Sequence, residues 1–203
     1  MDTIIFTIIS LIILLFSVIL HEIAHGTVAY ILGDPTAKLS GRLTLNPLKH
    51  LDPVGSVLLP LVLLFSTRGA IVFGWAKPVP INPFNFTDKR WGELKVGIAG
   101  VAVNFLIAIV FSLLARFFYV SANFFSVIYV VAVYNFALGI FNLLPIPPLD
   151  GSHIFFSFLG EKFSDFKIFM QQYGIFILLF LIVWGVDWIF KMSSMLFYLI
   201  SGH

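Results

Sequence analysis

The 203-residue sequence has no cysteine and few charged residues. Without cysteine the chain can form neither disulfide bonds nor thiolate metal ligands. Charged residues make up 11% of the chain and hydrophobic residues 60%, whereas a soluble domain has about 25% charged and about 45–50% apolar residues. A mean hydropathy of +1.03 excludes a soluble, a disordered and a nucleic-acid-binding protein. The composition therefore predicts an integral membrane protein, with the lipid bilayer as a partner and no nucleic acid.

Four apolar runs are each long enough to cross a bilayer, which takes about 20 residues of helix. They lie at about 4–32, 94–120, 124–144 and 173–200. The first run lacks a basic segment before it and a small-residue cleavage site, so it is predicted to be an uncleaved span and not a signal peptide. The sequence predicts one all-α polytopic domain over 1–203, with both termini outside.

The connection 33–93 carries most of the turn-forming residues and two other features. Its apolar segment 54–65 is too short for a full span and contains Gly55 and Pro60, which favours a re-entrant segment. The stretch from Ile71 to Ile81 contains residues typical of a β-strand. We therefore expect a re-entrant and β-structured region between the first two spans.

Lysine and arginine are unevenly distributed if segment 54–65 does not cross the membrane. Ten of the twelve then share one face: Lys38, Arg42, Lys49, Arg68, Lys77, Lys89, Arg90, Lys95, Lys162 and Lys167. The other face has only Arg116 and Lys191. Because basic loops stay in the cytoplasm, region 33–93 is predicted to lie on the cytoplasmic side of a plasma or inner membrane.

A H-E-x-x-H motif at residues 21–25 lies near the end of the first apolar run. Positions i and i+4 share one helical face, so both imidazoles can bind one metal ion, and Glu22 can reach water at that metal. An ionisable residue within a membrane costs about 2.5–3.5 kcal/mol and indicates function by default. Leu32 follows His25 by seven residues, or about 10 Å of helix, which places the motif inside the membrane near its cytoplasmic side.

A catalytic zinc ion requires three protein ligands and one open position, so a third ligand must come from elsewhere. The candidates are His50, Asp52, Asp150 and His153. Asp150 is favoured because it follows a proline-rich break at 144–149 that interrupts an apolar helix. Irregular backbone at membrane depth is tolerated only where protein buries it or where it lines a wet cavity. Asp150 could also cap the helix that follows it.

Together the two motifs resemble the site-2 protease family of intramembrane zinc metalloproteases, peptidase family M50. The matching residues are His21, Glu22, His25, Asn142, Pro145, Pro147, Leu149, Asp150 and Gly151. Segments 46–55 and Gly100 to Asn104 are also similar, and the resemblance covers about residues 15–160.

The resemblance implies a role for each of these polar residues. One zinc ion per chain would be bound by His21, His25 and Asp150. Glu22 would be the general base or acid, and Asn142 would help to hold the substrate or its oxyanion. The substrate would be a transmembrane segment of another protein, held at an edge strand or a membrane-associated β-hairpin within 71–81. The chain looks like a minimal member, without PDZ or CBS domains, and its oligomeric state stays open.

Two other functions remain open on the sequence alone. A metal or ion transporter could use the same His/His/Asp site, although transporters usually show internal repeats and none is visible. A catalytically inactive relative is disfavoured by the intact Glu22. Asn104 and Asn135 lie within spans, where interhelical hydrogen bonding is their ordinary role.

Overall fold

The structure is a computed structural model that describes residues 3–58, 76–119 and 121–203, together with Val62 alone. The described ranges contain six α-helices: α1 (Thr3–Ile31), α2 (Thr36–Leu39), α3 (Gly92–Phe117), α4 (Ala122–Asn142), α5 (Asp150–Phe158) and α6 (Ser164–Ser201). Short turns of 3-10 or π type lie between them, at Pro47–Lys49, Pro53–Leu58, Pro83–Asn85 and Glu161–Phe163. Every regular element in these ranges is helical.

Four of the helices, α1, α3, α4 and α6, are long and apolar enough to cross a membrane. This confirms the prediction of a multi-pass membrane protein, with four candidate spans in the described part of the chain. The last helix begins at Ser164 instead of at residue 173. Polar residues in 164–172 lower the hydropathy of this segment but do not break the helix, and Asp165 suits the positive end of the helix dipole. Gly202, with φ of 77°, ends the helix in the left-handed conformation that glycine favours.

Helix α3 lies at the centre of the bundle and packs against α1, α4, α5 and α6. Its small residues Ala108 and Ala115 are buried against Ile128 and Phe136 of α4 and Phe197 of α6. Small side chains allow membrane helices to approach closely. Large apolar side chains on the outer faces of the spans are exposed, as expected for surfaces that contact lipid.

The region between the first two spans does not support the predicted re-entrant segment or β-hairpin. Half of segment 54–65 and all of residues 71–75 lie outside the described residues, and the described start of the first segment, within Pro53–Leu58, is a π-helical turn. Residues 76–82 have no regular secondary structure. Pro78 and Pro80 explain this, because proline has no N–H to donate to a strand ladder.

A buried aspartate fixes this irregular segment to the end of α1. Asp34 is fully buried, and its carboxylate accepts hydrogen bonds from the Asn82 backbone N–H at 2.7 Å and the Asn85 side-chain amide at 2.8 Å. Upstream, Lys77 donates its N–H to the His50 carbonyl at 2.9 Å, and Arg42 donates to the Pro78 carbonyl at 3.2 Å. These bonds hold residues 77–85 against the cytoplasmic end predicted for α1.

Candidate metal centre and active-site cavity

Two turns of α1 and the first residue of α5 bring three ligand atoms together. His21 and His25 lie one turn apart in α1, and their Nε2 atoms are 2.9 Å from each other. The Asp150 Oδ2 atom lies 3.0 Å from the first and 3.1 Å from the second. Both histidines are buried. The three side chains form a group that could hold a metal ion.

The proline-rich break between α4 and α5 delivers Asp150 to this group. Asp150 is the first residue of α5, where Leu149 has the capping position, so its carboxylate is free to face the histidines. A Cβ at Gly151 would lie only 2.2 Å from the Leu143 carbonyl oxygen. Glycine is therefore required at position 151 for the chain to fold back on itself. The atoms that Gly151 approaches closely are those of the Leu143 backbone and not those of the metal-binding group.

One face of α3 forms the wall behind both imidazoles. The Val96 carbonyl lies 2.7 Å from His25 Nδ1, and the Asn104 amide nitrogen lies 3.2 Å from His21 Nδ1. Between them, a Cβ at Gly100 would lie 2.5 Å from His25 Nε2 and 2.6 Å from His21 Cε1. Residues 96, 100 and 104 are spaced by one helical turn each, so the helix presents all three to α1.

The chemistry of the three atoms fits a bound cation. A carbonyl oxygen can only accept, so Val96 requires the hydrogen of neutral His25 on Nδ1 and leaves a lone pair on Nε2. Asp150 contributes a carboxylate oxygen, a hydrogen-bond acceptor that carries negative charge when ionised and so suits a cation, within 3.1 Å of both imidazole nitrogens. Tetrahedral zinc separates its nitrogen and oxygen ligands by about 3.3 Å, close to the spacings observed here.

A cavity of about 360 Å³ opens beside the three ligand atoms. Glu22 lines it, and its Oε2 accepts a hydrogen bond from the Val79 backbone N–H at 2.8 Å. Asn142 also lines the cavity, with one amide N–H donating to the Leu138 carbonyl at 3.0 Å. The amide has a second N–H, which is the one it could offer to a bound molecule. The cavity is thus lined by the five polar residues of the two motifs, His21, Glu22, His25, Asn142 and Asp150.

The other candidate ligands from the sequence do not join the group. His50 is buried elsewhere, with Nε2 2.8 Å from the Thr44 carbonyl. Asp52 accepts hydrogen bonds from the N–H groups of Val54 and Gly55 at the start of a turn. His153 lines the cavity but is exposed, and its Nδ1 lies 3.8 Å from Glu93. Asp150 is therefore the residue that the structure places beside the two histidines.

Sequence reasoning missed four contributors to the site. The Val96 carbonyl and the Val79 N–H are backbone groups, and no side-chain pattern identifies them. Gly100 and Asn104 stood in a segment similar to the family, but the residues alone gave Asn104 only an interhelical role. A glycine and an asparagine spaced by four within an apolar span was the signal that could have placed both beside the motif helix.

Comparison with known proteins gives several relatives of the chain. The model of Peptidase family M50 matches residues 118–181. YwhC of Bacillus subtilis, whose name describes a zinc metalloprotease, is 35% identical over 209 residues that cover 91% of this chain and 90% of YwhC. Rip2 of Mycolicibacterium smegmatis, named likewise, is 31% identical over 199 residues, which are 93% of this chain and 75% of Rip2. Zinc metalloprotease MJ0392 of Methanocaldococcus jannaschii is 37% identical over 91 residues, 44% of this chain and 27% of that protein. No solved structure gives a significant match.

The relatives and the His/His/Asp group among apolar helices define a zinc-dependent metalloprotease of multi-pass membrane type. Because YwhC is 35% identical over nearly all of both chains, the chain belongs to peptidase family M50, the site-2 protease family that its motifs resemble. This assignment favours peptide hydrolysis over the transport function that the sequence had left open.

Proposed function

We propose that this chain is an intramembrane endopeptidase that cleaves transmembrane segments of other membrane proteins. The main supporting observation is where the metal ligands lie. His21 and His25 belong to a helix that begins at Thr3 and ends at Ile31. His25 precedes that end by six residues, or about 9 Å of helix. The cavity therefore lies at a depth that a substrate within the membrane can reach.

In this proposal His21, His25 and Asp150 bind one zinc ion, and Glu22 moves the protons. When bound, zinc polarises a carbonyl and acidifies water, the chemistry that peptide hydrolysis needs. The Glu22 carboxylate, fixed by Val79, takes a proton from the attacking water and gives it to the leaving amine. The Asn142 amide donates its second N–H where negative charge develops on the substrate oxygen.

A transmembrane substrate must be locally unwound before it is cut. In a helix each carbonyl accepts an i to i−4 hydrogen bond, which hides it from attack. The unwound segment then needs new partners within the membrane, and an edge of extended chain would supply them. Pro78 and Pro80 offer only carbonyls, and the Val79 N–H is held by Glu22. The donors of such an edge would therefore be the N–H groups of Ala76 and Ile81 and those of 71–75, which lie beyond the described residues.

The proposed location is a plasma or inner membrane with the cavity toward the cytoplasm. The support is the uneven distribution of Lys and Arg, because 33–93 and 145–172 together carry nine of the twelve basic residues and Lys95, just after the first region, is the tenth on that face. Water and substrate would then enter from the cytoplasmic half of the bilayer.

Comparative membrane proteomics of cells that express the wild type or Glu22→Gln tests this function. Fragments of membrane proteins cut within a transmembrane segment should be present with the wild type and absent with the variant. Asp165→Asn is the matched control, because it neutralises an exposed carboxylate at the start of α6, and it should keep the fragments. Equal fragment patterns in all three strains, at equal protein and zinc levels, would refute the proposal.

A further inference from the structure

Asn104 is a fully buried residue whose contact with His21 the proposed mechanism does not use. Its amide nitrogen lies 3.2 Å from His21 Nδ1, and its Oδ1 is buried without a hydrogen-bond partner in the described part of the chain. Asn104 lies on α3, one turn beyond Gly100, which leaves space for the two imidazoles. The amide therefore contacts the ring nitrogen of His21 that points away from the metal ligand group.

The hydrogen on each imidazole depends on what its Nδ1 atom contacts. Val96 can only accept, so the hydrogen of neutral His25 lies on Nδ1 and Nε2 is open. With the amide nitrogen of Asn104 donating, His21 Nδ1 must instead accept, and the hydrogen of this ring lies on Nε2. The His21 Nε2 hydrogen is then donated to His25 Nε2 at 2.9 Å, and Asp150 Oδ2 lies 3.0 Å from the same His21 nitrogen. This hydrogen occupies the position that a metal ion would take.

We infer that Asn104 is a positioning residue whose side-chain amide presents its nitrogen to His21 without metal and its oxygen to His21 when zinc binds. Rotation of the amide by half a turn exchanges the two ends. The oxygen then accepts from Nδ1–H of His21, and Nε2 is left with a lone pair for the metal. The number of hydrogens on the neutral ring is unchanged, because one leaves Nε2 for solvent and one is taken up at Nδ1.

Asparagine is the residue type that can serve both forms of His21. It has a donor and an acceptor at nearly the same positions, whereas aspartate can only accept and leucine can do neither. Partners that orient metal-binding histidines in this way change metal affinity by about 10–100-fold when they are removed. The inference depends on His21 being a zinc ligand, as proposed above, and the tests below separate the two.

Zinc affinity measured by competition with a chelator is the first test. Asn104→Leu should weaken binding by about 10–100-fold, whereas Asn104→Asp, which accepts from Nδ1–H, should keep or exceed the wild-type affinity. Asn135→Leu is the matched control. Asn135 is also a fully buried asparagine in a span, and it bonds Ser17 of α1 at 2.8 Å without touching the histidines. Asn135→Leu should bind zinc with an affinity within about twofold of the wild type, because this substitution removes only an interhelical hydrogen bond.

The nitrogen chemical shifts of histidine in labelled wild-type protein form the second test, which needs no Asn104 variant to fold. His21 is assigned by its disappearance in His21→Ala. Its hydrogen should lie on Nε2 without metal and on Nδ1 with zinc, and Asn104→Asp should favour Nδ1 in both states. A His21 ring with Nδ1–H in the metal-free wild type would overturn the inference, as would equal zinc affinity of Asn104→Leu and wild type. If His21→Ala itself keeps its zinc, the ligand set fails instead.

Discussion

Glu22 accepts a hydrogen bond from the backbone N–H of Val79, with 2.8 Å between Oε2 and the nitrogen. The bond joins the motif helix to an irregular segment whose neighbouring residues, Pro78 and Pro80, have no N–H. Val79 is thus the residue of this tripeptide that can hold the carboxylate, and the loop fixes its orientation.

Replacing Val79 by proline should lower cleavage by about tenfold or more, because a hydrogen bond to a charged group contributes about 1.5–3 kcal/mol. The loss should appear in kcat more than in KM, since Glu22 moves protons and does not bind substrate in this proposal. Val79→Ala is the control, because it keeps the N–H and removes only side-chain atoms. If both variants lose the same activity, packing of the side chain and not the hydrogen bond is what matters.

Zinc content should depend on each of the three converging residues. His21→Ala, His25→Ala and Asp150→Ala should each bind far less than one zinc per chain, because a zinc site of this type needs three protein ligands. His153→Ala should keep its zinc, since this histidine is exposed and stands apart from the His/His/Asp group, with Nδ1 3.8 Å from Glu93. Metal analysis of the purified variants decides the matter, and full zinc in Asp150→Ala would show that the third ligand is another residue.

Gly100→Ala should disrupt the metal site although it adds a single methyl group. The new Cβ would lie 2.5 Å from His25 Nε2 and 2.6 Å from His21 Cε1, so both rings would have to move. Gly97→Ala, on the same helix, is the control, because its nearest neighbours would be at 3.4 Å, an ordinary contact distance. Chelator competition should show weaker zinc binding in the first variant and unchanged binding in the second. Equal binding in both would place the imidazoles farther from α3 than the structure does.

Asp34→Ala should destabilise the fold by about 1–3 kcal/mol, because it removes the buried carboxylate that accepts hydrogen bonds from the 82–85 segment. Burial would raise the pKa of Asp34, but hydrogen bonds from Asn82, Thr36 and Asn85 outweigh it and lower the pKa. A lowered pKa contributes stability above the unfolded value of about 3.9 and loses it as pH falls through the folded value. Thermal unfolding in detergent should therefore separate variant and wild type at pH 7, and less so near pH 3. A difference that grows on acidification would contradict this.

The chain without cysteine gives a clean background for testing its orientation. Lys49→Cys and Lys89→Cys should react with an impermeant thiol reagent from the same side of the membrane, as the distribution of basic residues predicts. Ser121→Cys, in the exposed connection between α3 and α4, should react from the opposite side. Labelling of positions 49 and 89 from different sides would mean that segment 54–65 crosses the bilayer.

The long apolar runs determined the spans, because membrane helices satisfy their own backbone and need only length and hydropathy. The i, i+4 spacing of His21 and His25 determined that both imidazoles share a face, since this follows from helix geometry alone. A local pattern also favoured Asp150 as the third ligand, because it directly follows the proline-rich break at 144–149. The strand-like composition of 71–81 was less informative, because β-structure depends on partners that a local pattern does not specify.

Which groups complete the site was decided only by the tertiary structure. The Val96 carbonyl, the Val79 N–H and the Asn104 amide reach the motif from segments 57 to 83 residues away in sequence. Backbone groups have the same chemistry at every position. Only the packing of α3 and of residues 77–85 against α1 determines that the Val96 carbonyl and the Val79 N–H are the ones that contact the motif. The sequence by itself determined the membrane helices and predicted the three metal ligands. The packing of α3 and the loop decided how the ligands are oriented, because long-range contacts leave no local pattern.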